Sequence, residues 1–149
     1  VGLQPRGKSL CENIVKILLS KYKINRVDHG FLDITFFRDD FRRNKDILLP
    51  NKNDFKLLVE NKKVVFIDDV LYTGRTIRAA LTAIESFGRP KTIELLILVD
   101  RRFSRELPIQ PDYKGVQVDV YENQKVNVKW NDNKHGNYVY IENLMKGKS

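Results

Sequence analysis

Two adjacent carboxylates followed by a hydroxyl-rich turn are the residues of this chain best suited to chemistry. Asp68 and Asp69 follow the apolar run at residues 64–67, and the turn after them reads VLYTGRT. In an open α/β sheet, ligands bind at the carboxyl ends of the strands, where this pair is predicted to lie. One aspartate could be a helix cap and the other a solvated loop residue, but that interpretation leaves the turn unexplained.

The turn itself is typical of an anion site at the start of a helix. Backbone N–H groups at a helix N-terminus point towards an incoming anion, and the helix dipole adds to the attraction. Gly74 permits close approach or a positive φ, and the hydroxyls of Thr73 and Thr76 can donate to phosphate oxygens. The two carboxylates would accept hydrogen bonds from the vicinal hydroxyls of a ribose. The spacing fits neither a Walker loop nor a dinucleotide fingerprint.

The surrounding sequence predicts the elements that position these residues. The spacing of apolar residues predicts helices over residues 7–22 and 75–87, the second closed by Gly88 and Pro90. Strands are predicted over residues 1–3, 32–37, 63–67, 92–100, 116–120, 125–130 and 138–141. Because strands and helices alternate through the first two-thirds of the chain, we expect an α/β fold with a mostly parallel sheet flanked by helices.

Composition bounds the class of protein. With 149 residues, 42% hydrophobic and 31% charged, the chain is expected to form a single domain over residues 1–149. An element before Val1 is expected to be missing, because VGLQPRG resembles the end of a strand. No apolar run is long enough to span a membrane and no targeting segment is seen, so we expect a cytoplasmic protein. Cys11 is predicted to be a small core residue in a reducing compartment.

Charge is the other property of the whole chain that bears on function. A net charge of +8 favours anionic partners such as phosphates or nucleic acid, although a merely solubilising surface would explain it equally well. Residues 38–56 combine dense charge with Pro50 and three asparagines, which predicts a loop or arm. Its length is unusual inside a compact domain and indicates either function or disorder.

The motifs around the acidic pair carry a family resemblance. Residues 64–76 resemble the thirteen-residue phosphoribosyl pyrophosphate motif of type I phosphoribosyltransferases. Together with IRAAL, FGRP, LVDR and RELPI, the form DDVLYTGRT resembles the PyrR family, pyrimidine-operon attenuators with uracil phosphoribosyltransferase activity. The resemblance extends from VGLQPRG to YVYIE. It implies a type I phosphoribosyltransferase fold with a small hood, and the conversion of uracil and phosphoribosyl pyrophosphate to UMP and pyrophosphate with Mg²⁺. It also implies a homo-oligomer and a pyr mRNA leader as a partner.

The resemblance assigns roles to individual residues. The predicted catalytic residues are Asp68, Asp69 and Arg38, the last of which lies in a hood that begins with FFRDD and would contact pyrophosphate. Mg²⁺ would be held through Asp68, Asp69 and the ligand. The residues predicted to bind phosphoribosyl pyrophosphate are Pro5, Arg6, Asp68, Asp69, Val70, Leu71, Tyr72, Thr73, Gly74, Arg75 and Thr76. Because LQPRG matches the family's pyrophosphate loop, the Gln4–Pro5 peptide bond is predicted to be cis.

The base pocket is where this chain departs from the family's pattern. The residues predicted to bind the base are Val99, Asp100, Arg105 and Val126. The family reads VDRGHRELPI and this chain reads VDRRFSRELPI, so one residue is inserted, a glycine is absent and Ser104 replaces a histidine. A histidine there could help manage the uracil proton, so its loss bears on the rate and on the preferred base. His29 and His135 are expected to be surface residues.

Two other functions stay open at this point. An RNA-binding regulator with little catalysis fits the positive charge, and its binding would depend on salt. Against it, the sequence carries no RNA-recognition motif, KH loop or zinc knuckle. A phosphoribosyltransferase for a purine or for orotate would use the same phosphate machinery, so only the hood and base segments would separate it from a uracil enzyme.

Overall fold

The structure, a computed structural model, describes residues 1–37, 59–132 and 136–144. The central sheet contains β1 (Gly2–Gln4), β2 (Phe31–Asp33), β3 (Lys63–Leu71), β4 (Thr92–Arg102) and β5 (Tyr113–Asp119), in the order β2-β1-β3-β4-β5. The helices are α1 (Gly7–Ser20) and α2 (Arg75–Ile84), and β6 (Gln124–Asp132) pairs with β7 (Gly136–Asn143) in an antiparallel hairpin. The predicted arm with Arg38, and His135, lie outside the described residues.

The central sheet is parallel throughout, as predicted. Its middle strands are aliphatic along most of their length and pack on both faces. Adjacent residues of a strand point to opposite faces; accordingly Phe66 belongs to the core cluster that contains the apolar residues of α2, and Ile67 to the cluster that contains those of α1. Cys11 is buried in this second cluster, which confirms its prediction as a core residue.

The strand predicted over residues 32–37 is wrong in its second half. Strand β2 ends at Asp33, and residues Thr35–Phe37 form a short 3₁₀ turn. The side chain of Asp33 accepts a hydrogen bond from the Thr35 N–H at 2.9 Å. An aspartate that bonds the backbone two residues on favours a turn over an extended strand.

Strand β3 is longer than predicted and ends at Leu71, so Asp68 and Asp69 lie inside the strand rather than after it. Its neighbour β4 continues to Arg102, and the register pairs Leu71 with Asp100. This ladder supplies backbone partners that local propensity could not indicate. The bounds of β5, β6 and β7 differ from the prediction by one to three residues for the same reason. The helix predicted over residues 75–87 is α2 followed by a 3₁₀ turn at Glu85–Phe87.

Truncation of a core leucine tests this packing. Leu95 is 5% exposed and belongs to the core cluster on the α2 side of the sheet. Leu95→Ala is expected to lower the free energy of unfolding by about 2–4 kcal/mol, because it removes buried methyl groups and leaves a cavity. Urea denaturation measures this change. Leu81→Ala, at a residue that is 39% exposed on α2, is the matched control; a Leu95 loss no larger than the control's would contradict the assignment.

Candidate active site

The candidate site lies where the loop after β1, the end of β3 and the start of α2 come together. Strands β1 and β3 are parallel neighbours, and their register pairs Gly2 with Ile67. The residues that follow Gly2 therefore run beside those that follow Ile67. This places Pro5 and Arg6 next to the acidic pair, although more than sixty residues separate them along the chain.

The loop after β1 approaches the strand backbone closely. A Cβ atom at Gly7 would lie 2.1 Å from the carbonyl oxygen of Ile67 and 3.1 Å from the Cα of Asp68. Only a glycine allows this contact without displacement. The Gln4–Pro5 peptide bond is cis, as predicted. Arg6 is exposed, and its positive charge partly offsets the rise that burial causes in the pKa of both aspartates.

The acidic pair is buried, and one of its oxygens lacks a partner. Asp68 and Asp69 are each 5% exposed. The Asp69 N–H donates to Asp68 Oδ1 at 2.9 Å. Asp69 Oδ1 is buried and has no hydrogen-bond partner within the described part of the chain. Because a buried acceptor is normally satisfied in a native protein, this oxygen is the strongest candidate in the site for contact with a ligand hydroxyl.

Burial also changes the protonation of the pair. Burial, and after it the neighbouring Asp69 charge, raise the pKa of Asp68 to about 7, against an opposing contribution from Arg6. Burial likewise raises the pKa of Asp69, with Arg6 again opposing. A cation or a hydroxyl donor that bound here would favour the ionised carboxylates. Ligand binding is therefore coupled to loss of a proton near neutral pH.

The raised pKa of Asp68 predicts how stability depends on pH. Between its ordinary value of 3.8 and about 7, the folded chain holds a proton that the unfolded chain has released. The free energy of unfolding should therefore fall as pH rises through this window. Asp68→Asn keeps the oxygen acceptor and removes the charge, so the variant should be more stable than the wild type at pH 8 by about 4 kcal/mol, with little difference at pH 4.

Urea denaturation of both proteins at pH 4 and pH 8 measures this difference. Asp28→Asn, at an exposed aspartate paired with Arg26, is the control for a general change in charge. If Asp68→Asn and the control shifted the pH dependence equally, burial of Asp68 would not be its cause.

The turn after β3 has the conformation expected of an anion site. Gly74 has a φ of 94°, which favours glycine, and stands immediately before α2. The Arg78 N–H donates to the Gly74 carbonyl at 3.0 Å, which begins the helical hydrogen-bond pattern. Thr73 and Thr76 are half-buried on this turn. The positive end of the α2 dipole therefore lies next to the acidic pair.

The four predicted base residues fall into two pairs. Val99 and Val126 are buried together with Val120 in a small apolar cluster between the sheet and the hairpin. Asp100 and Arg105 bind each other, with Arg105 Nη2 at 2.5 Å from Asp100 Oδ1. A cleft of about 370 Å³ opens beside the second pair. Binding of a base by these residues stays a prediction.

The segment in which the family's glycine is absent has an unusual backbone. Phe103 has a φ of 63°, a conformation rare for a bulky residue, and its side chain is exposed. Ser104, where the family has histidine, donates from its hydroxyl to the Arg102 carbonyl at 3.2 Å. His29 is exposed, as predicted, and contacts Val27 and Phe31 rather than this segment, so the described residues place no histidine here.

Two charged residues near the site were missed by sequence reasoning. Arg101 is 5% exposed, its guanidinium lies 3.9 Å from the centroid of the Tyr72 ring, and two of its nitrogens have no partner among the described residues. Glu106 accepts a hydrogen bond from Arg75 Nε at 2.6 Å. Glu106 lies within the RELPI motif, so the sequence could have indicated that it is near the site. Burial of Arg101 follows from the length of β4, which the sequence underestimated.

Comparison with known proteins identifies the family. The family model "Phosphoribosyl transferase domain" matches residues 1–133. The bifunctional protein PyrR of Thermoanaerobacter sp. (strain X514) is 48% identical over 128 residues, which cover 86% of this chain and 71% of that protein. The chain belongs to the PyrR family of phosphoribosyltransferases. The PyrR protein of Acetivibrio thermocellus is 40% identical over 147 residues, which cover 99% of this chain and 79% of that protein. The predicted family and the predicted enzyme class, a PyrR-type phosphoribosyltransferase, are confirmed.

Solved structures confirm the fold class. A hypoxanthine phosphoribosyltransferase from Staphylococcus aureus aligns with a TM-score of 0.58 at 20% identity, covering 84% of this chain and 62% of that one. A purine phosphoribosyltransferase from Pyrococcus horikoshii Ot3 aligns with a TM-score of 0.56 at 20% identity, covering 78% and 68%. At this identity the likeness shows the fold alone, which is that of type I phosphoribosyltransferases. Within the described ranges, no helix is long and apolar enough to cross a membrane.

Proposed function

We propose that the protein transfers the phosphoribosyl group of phosphoribosyl pyrophosphate to uracil, giving UMP and pyrophosphate. The observation that carries this proposal is the buried pair Asp68 and Asp69, with a partnerless oxygen on Asp69, set beside the N-terminus of α2. Carboxylates suit the hydroxyls of a ribose, and a helix N-terminus suits its 5′-phosphate. Together, these two features suit a sugar phosphate.

Each part of the substrate has a candidate position. Asp69 Oδ1 accepts a hydrogen bond from a ribose hydroxyl, and the N–H groups of the turn from Thr73 to Thr76 bind the 5′-phosphate. Arg6, exposed beside the acidic pair, contacts the pyrophosphate. The second proposed pyrophosphate contact, Arg38, lies outside the described residues.

The reaction needs positioning and charge more than it needs covalent chemistry. The bond between C1 of the ribose and the pyrophosphate oxygen breaks, the bond between C1 and N1 of uracil forms, and the N1 proton passes to solvent. Positive charge develops on the sugar, where the buried carboxylates stabilise it, and negative charge develops on pyrophosphate, where Arg6 stabilises it. The ionised form of the acidic pair is the active one, so activity should rise as pH increases through about 7, the pKa of Asp68, and level off above it.

The donor set fits Mg²⁺ as a cofactor. Asp68 and Asp69 supply hard oxygen donors, and in the described ranges no third aspartate, glutamate, histidine or cysteine completes a metal cluster with them. Mg²⁺ is usually bound by one or two carboxylates with waters and substrate phosphates, so two carboxylates suffice. When bound, Mg²⁺ would neutralise charge on the pyrophosphate.

A second proposed role is binding of a pyr mRNA leader. The relatives carry the name bifunctional protein, the net charge is +8, and Arg101, Arg102, Arg105 and Lys114 line the cleft beside β4 and β5. Phosphate contacts of this kind make affinity fall with salt. The predicted homo-oligomer is also part of the proposal.

A product assay separates the alternatives. The purified chain is incubated with phosphoribosyl pyrophosphate, Mg²⁺ and each of uracil, hypoxanthine, guanine and orotate, and the nucleotide formed is measured. We expect UMP as the main product. If a purine nucleotide or OMP were the main product, uracil would not be the preferred base, and the base of that product would take its place in the proposal. No product with any base, together with salt-dependent binding to a pyr leader RNA, would favour the RNA-binding regulator.

A further inference from the structure

The carbonyl groups of the phosphate turn are bound by a segment from elsewhere in the chain. This segment, residues 105–108, is called here the RELP segment. Arg105 Nη1 donates to the Tyr72 carbonyl at 2.6 Å. The Glu106 and Leu107 N–H groups donate to the Thr73 carbonyl at 3.0 Å and 3.1 Å. Three donors therefore satisfy two successive carbonyls of the turn.

Side chains reinforce this contact on both sides. Arg105 Nη2 donates to Asp100 Oδ1 at 2.5 Å, and the Asp100 side chain is buried at the end of β4. Glu106 forms an ion pair with Arg75, the first residue of α2. A Cβ atom at Gly74 would lie 3.3 Å from side-chain atoms of Leu107 and Ile109, so the segment packs directly against the turn.

These bonds orient the N–H groups of the turn. In a planar trans peptide, the carbonyl and the N–H of one peptide unit point in opposite directions. Because the Tyr72 carbonyl faces Arg105, the Thr73 N–H faces away from the RELP segment. Because the Thr73 carbonyl faces the same segment, the Gly74 N–H also faces away from it. The Thr73 and Gly74 N–H groups therefore point away from the RELP segment. The Tyr72 and Thr73 carbonyl oxygens, which carry partial negative charge, point towards it.

We propose that Arg105 is a positioning residue for the 5′-phosphate rather than a contact for the base. It fixes the peptide orientation of the turn and joins the turn to β4 through Asp100, without itself touching the phosphate. This inference rests on the proposed function, since it takes the anion at the turn to be the 5′-phosphate of the substrate. It extends that function by proposing that Arg105 raises the affinity of the site for the sugar phosphate.

The test compares Arg105→Ala and Arg105→Lys with a matched control. Arg26→Ala removes an arginine that lies away from the site; Arg26 is exposed and pairs with Asp28. Titration calorimetry measures binding of ribose 5-phosphate to the full chain, steady-state kinetics give KM for uracil, and hydrogen exchange follows the amides of residues 72–76.

We expect Arg105→Ala to weaken ribose 5-phosphate binding about 10- to 100-fold, since two charged hydrogen bonds that hold the turn are lost. KM for uracil should change less than twofold, and the turn amides should exchange faster. Arg105→Lys can keep one of the two bonds and should be intermediate, which guards against a fold defect in the alanine variant. The Arg26 variant should match the wild type.

Two results would overturn the proposal. A raised KM for uracil with unchanged ribose 5-phosphate affinity would assign Arg105 to the base, and unchanged exchange of the turn amides in Arg105→Ala would show that Arg105 does not hold the turn. Failure of the proposed function looks different. A wild-type chain that binds ribose 5-phosphate but forms no UMP would overturn the transfer to uracil and leave the role of Arg105 supported by the binding and exchange data.

Discussion

Asp69→Asn is expected to lower kcat/KM for UMP formation about 100-fold while the chain stays folded. The substitution keeps the size of the side chain but removes the charge that stabilises a cationic sugar and replaces one acceptor by a donor. A hydrogen bond to a charged group is worth about 1.5–3 kcal/mol, and 3 kcal/mol corresponds to roughly a 100-fold change in rate. The partnerless Oδ1 of Asp69 indicates that no contact within the described protein is lost from that oxygen.

Initial rates with saturating uracil and varied phosphoribosyl pyrophosphate measure the effect, and circular dichroism checks the fold. Asp119→Asn is the control, because Asp119 is exposed and pairs with Arg102 outside the proposed site. Since burial raises the pKa of Asp69, its replacement by a neutral side chain should not reduce stability. Near-wild-type turnover in Asp69→Asn would remove the acidic pair from the mechanism.

Gly7→Ala is expected to reduce both stability and activity. The added Cβ would lie 2.1 Å from the Ile67 carbonyl oxygen, a distance that no real Cβ contact adopts, and the atoms it meets belong to the backbone of β3. Overpacking of this kind costs about 3 kcal/mol. The loop that carries Arg6 must then move away from Asp68, so binding of pyrophosphate should weaken as well.

The measurements for Gly7→Ala are urea denaturation and inhibition of UMP formation by pyrophosphate. Lys8→Ala is the control, since Lys8 is the next residue of α1 and is exposed. A Gly7→Ala chain with an unchanged free energy of unfolding and unchanged pyrophosphate inhibition would show that the close approach of this loop is not required.

The parallel sheet, the helix after the phosphate turn and the approximate position of the acidic pair were predictable because each depends on a local pattern. An apolar run, a glycine-containing turn and an amphipathic pattern follow one another within fewer than twenty residues, and this local order is enough to predict a strand, a turn and a helix. The ends of the strands were not predictable in the same way. Leu71 is a strand residue because its partner Asp100 continues the ladder, and Thr35 is not one because Asp33 binds its N–H.

The residues predicted to bind the base were likewise only partly predictable from the sequence. The sequence placed Asp100 and Arg105 near one another and near the site, through the family resemblance. It did not indicate that they bind each other, or that Arg105 also holds a carbonyl of the phosphate turn thirty-three residues earlier. Side-chain hydrogen bonds of this range depend on the final positions of two loops, and no periodic pattern records them.

By itself, the sequence determined the family, the parallel α/β class and the type of ligand group that the DDVLYTGRT turn can bind, since these follow from residue types at fixed short spacings. Only the tertiary structure decided which oxygen of the acidic pair lacks a partner, how closely Gly7 brings Arg6 to that pair, and which way the peptides of the turn face. These properties arise where segments distant in the chain meet across the sheet, and their energies depend on distances of a few ångströms that residue types alone do not set.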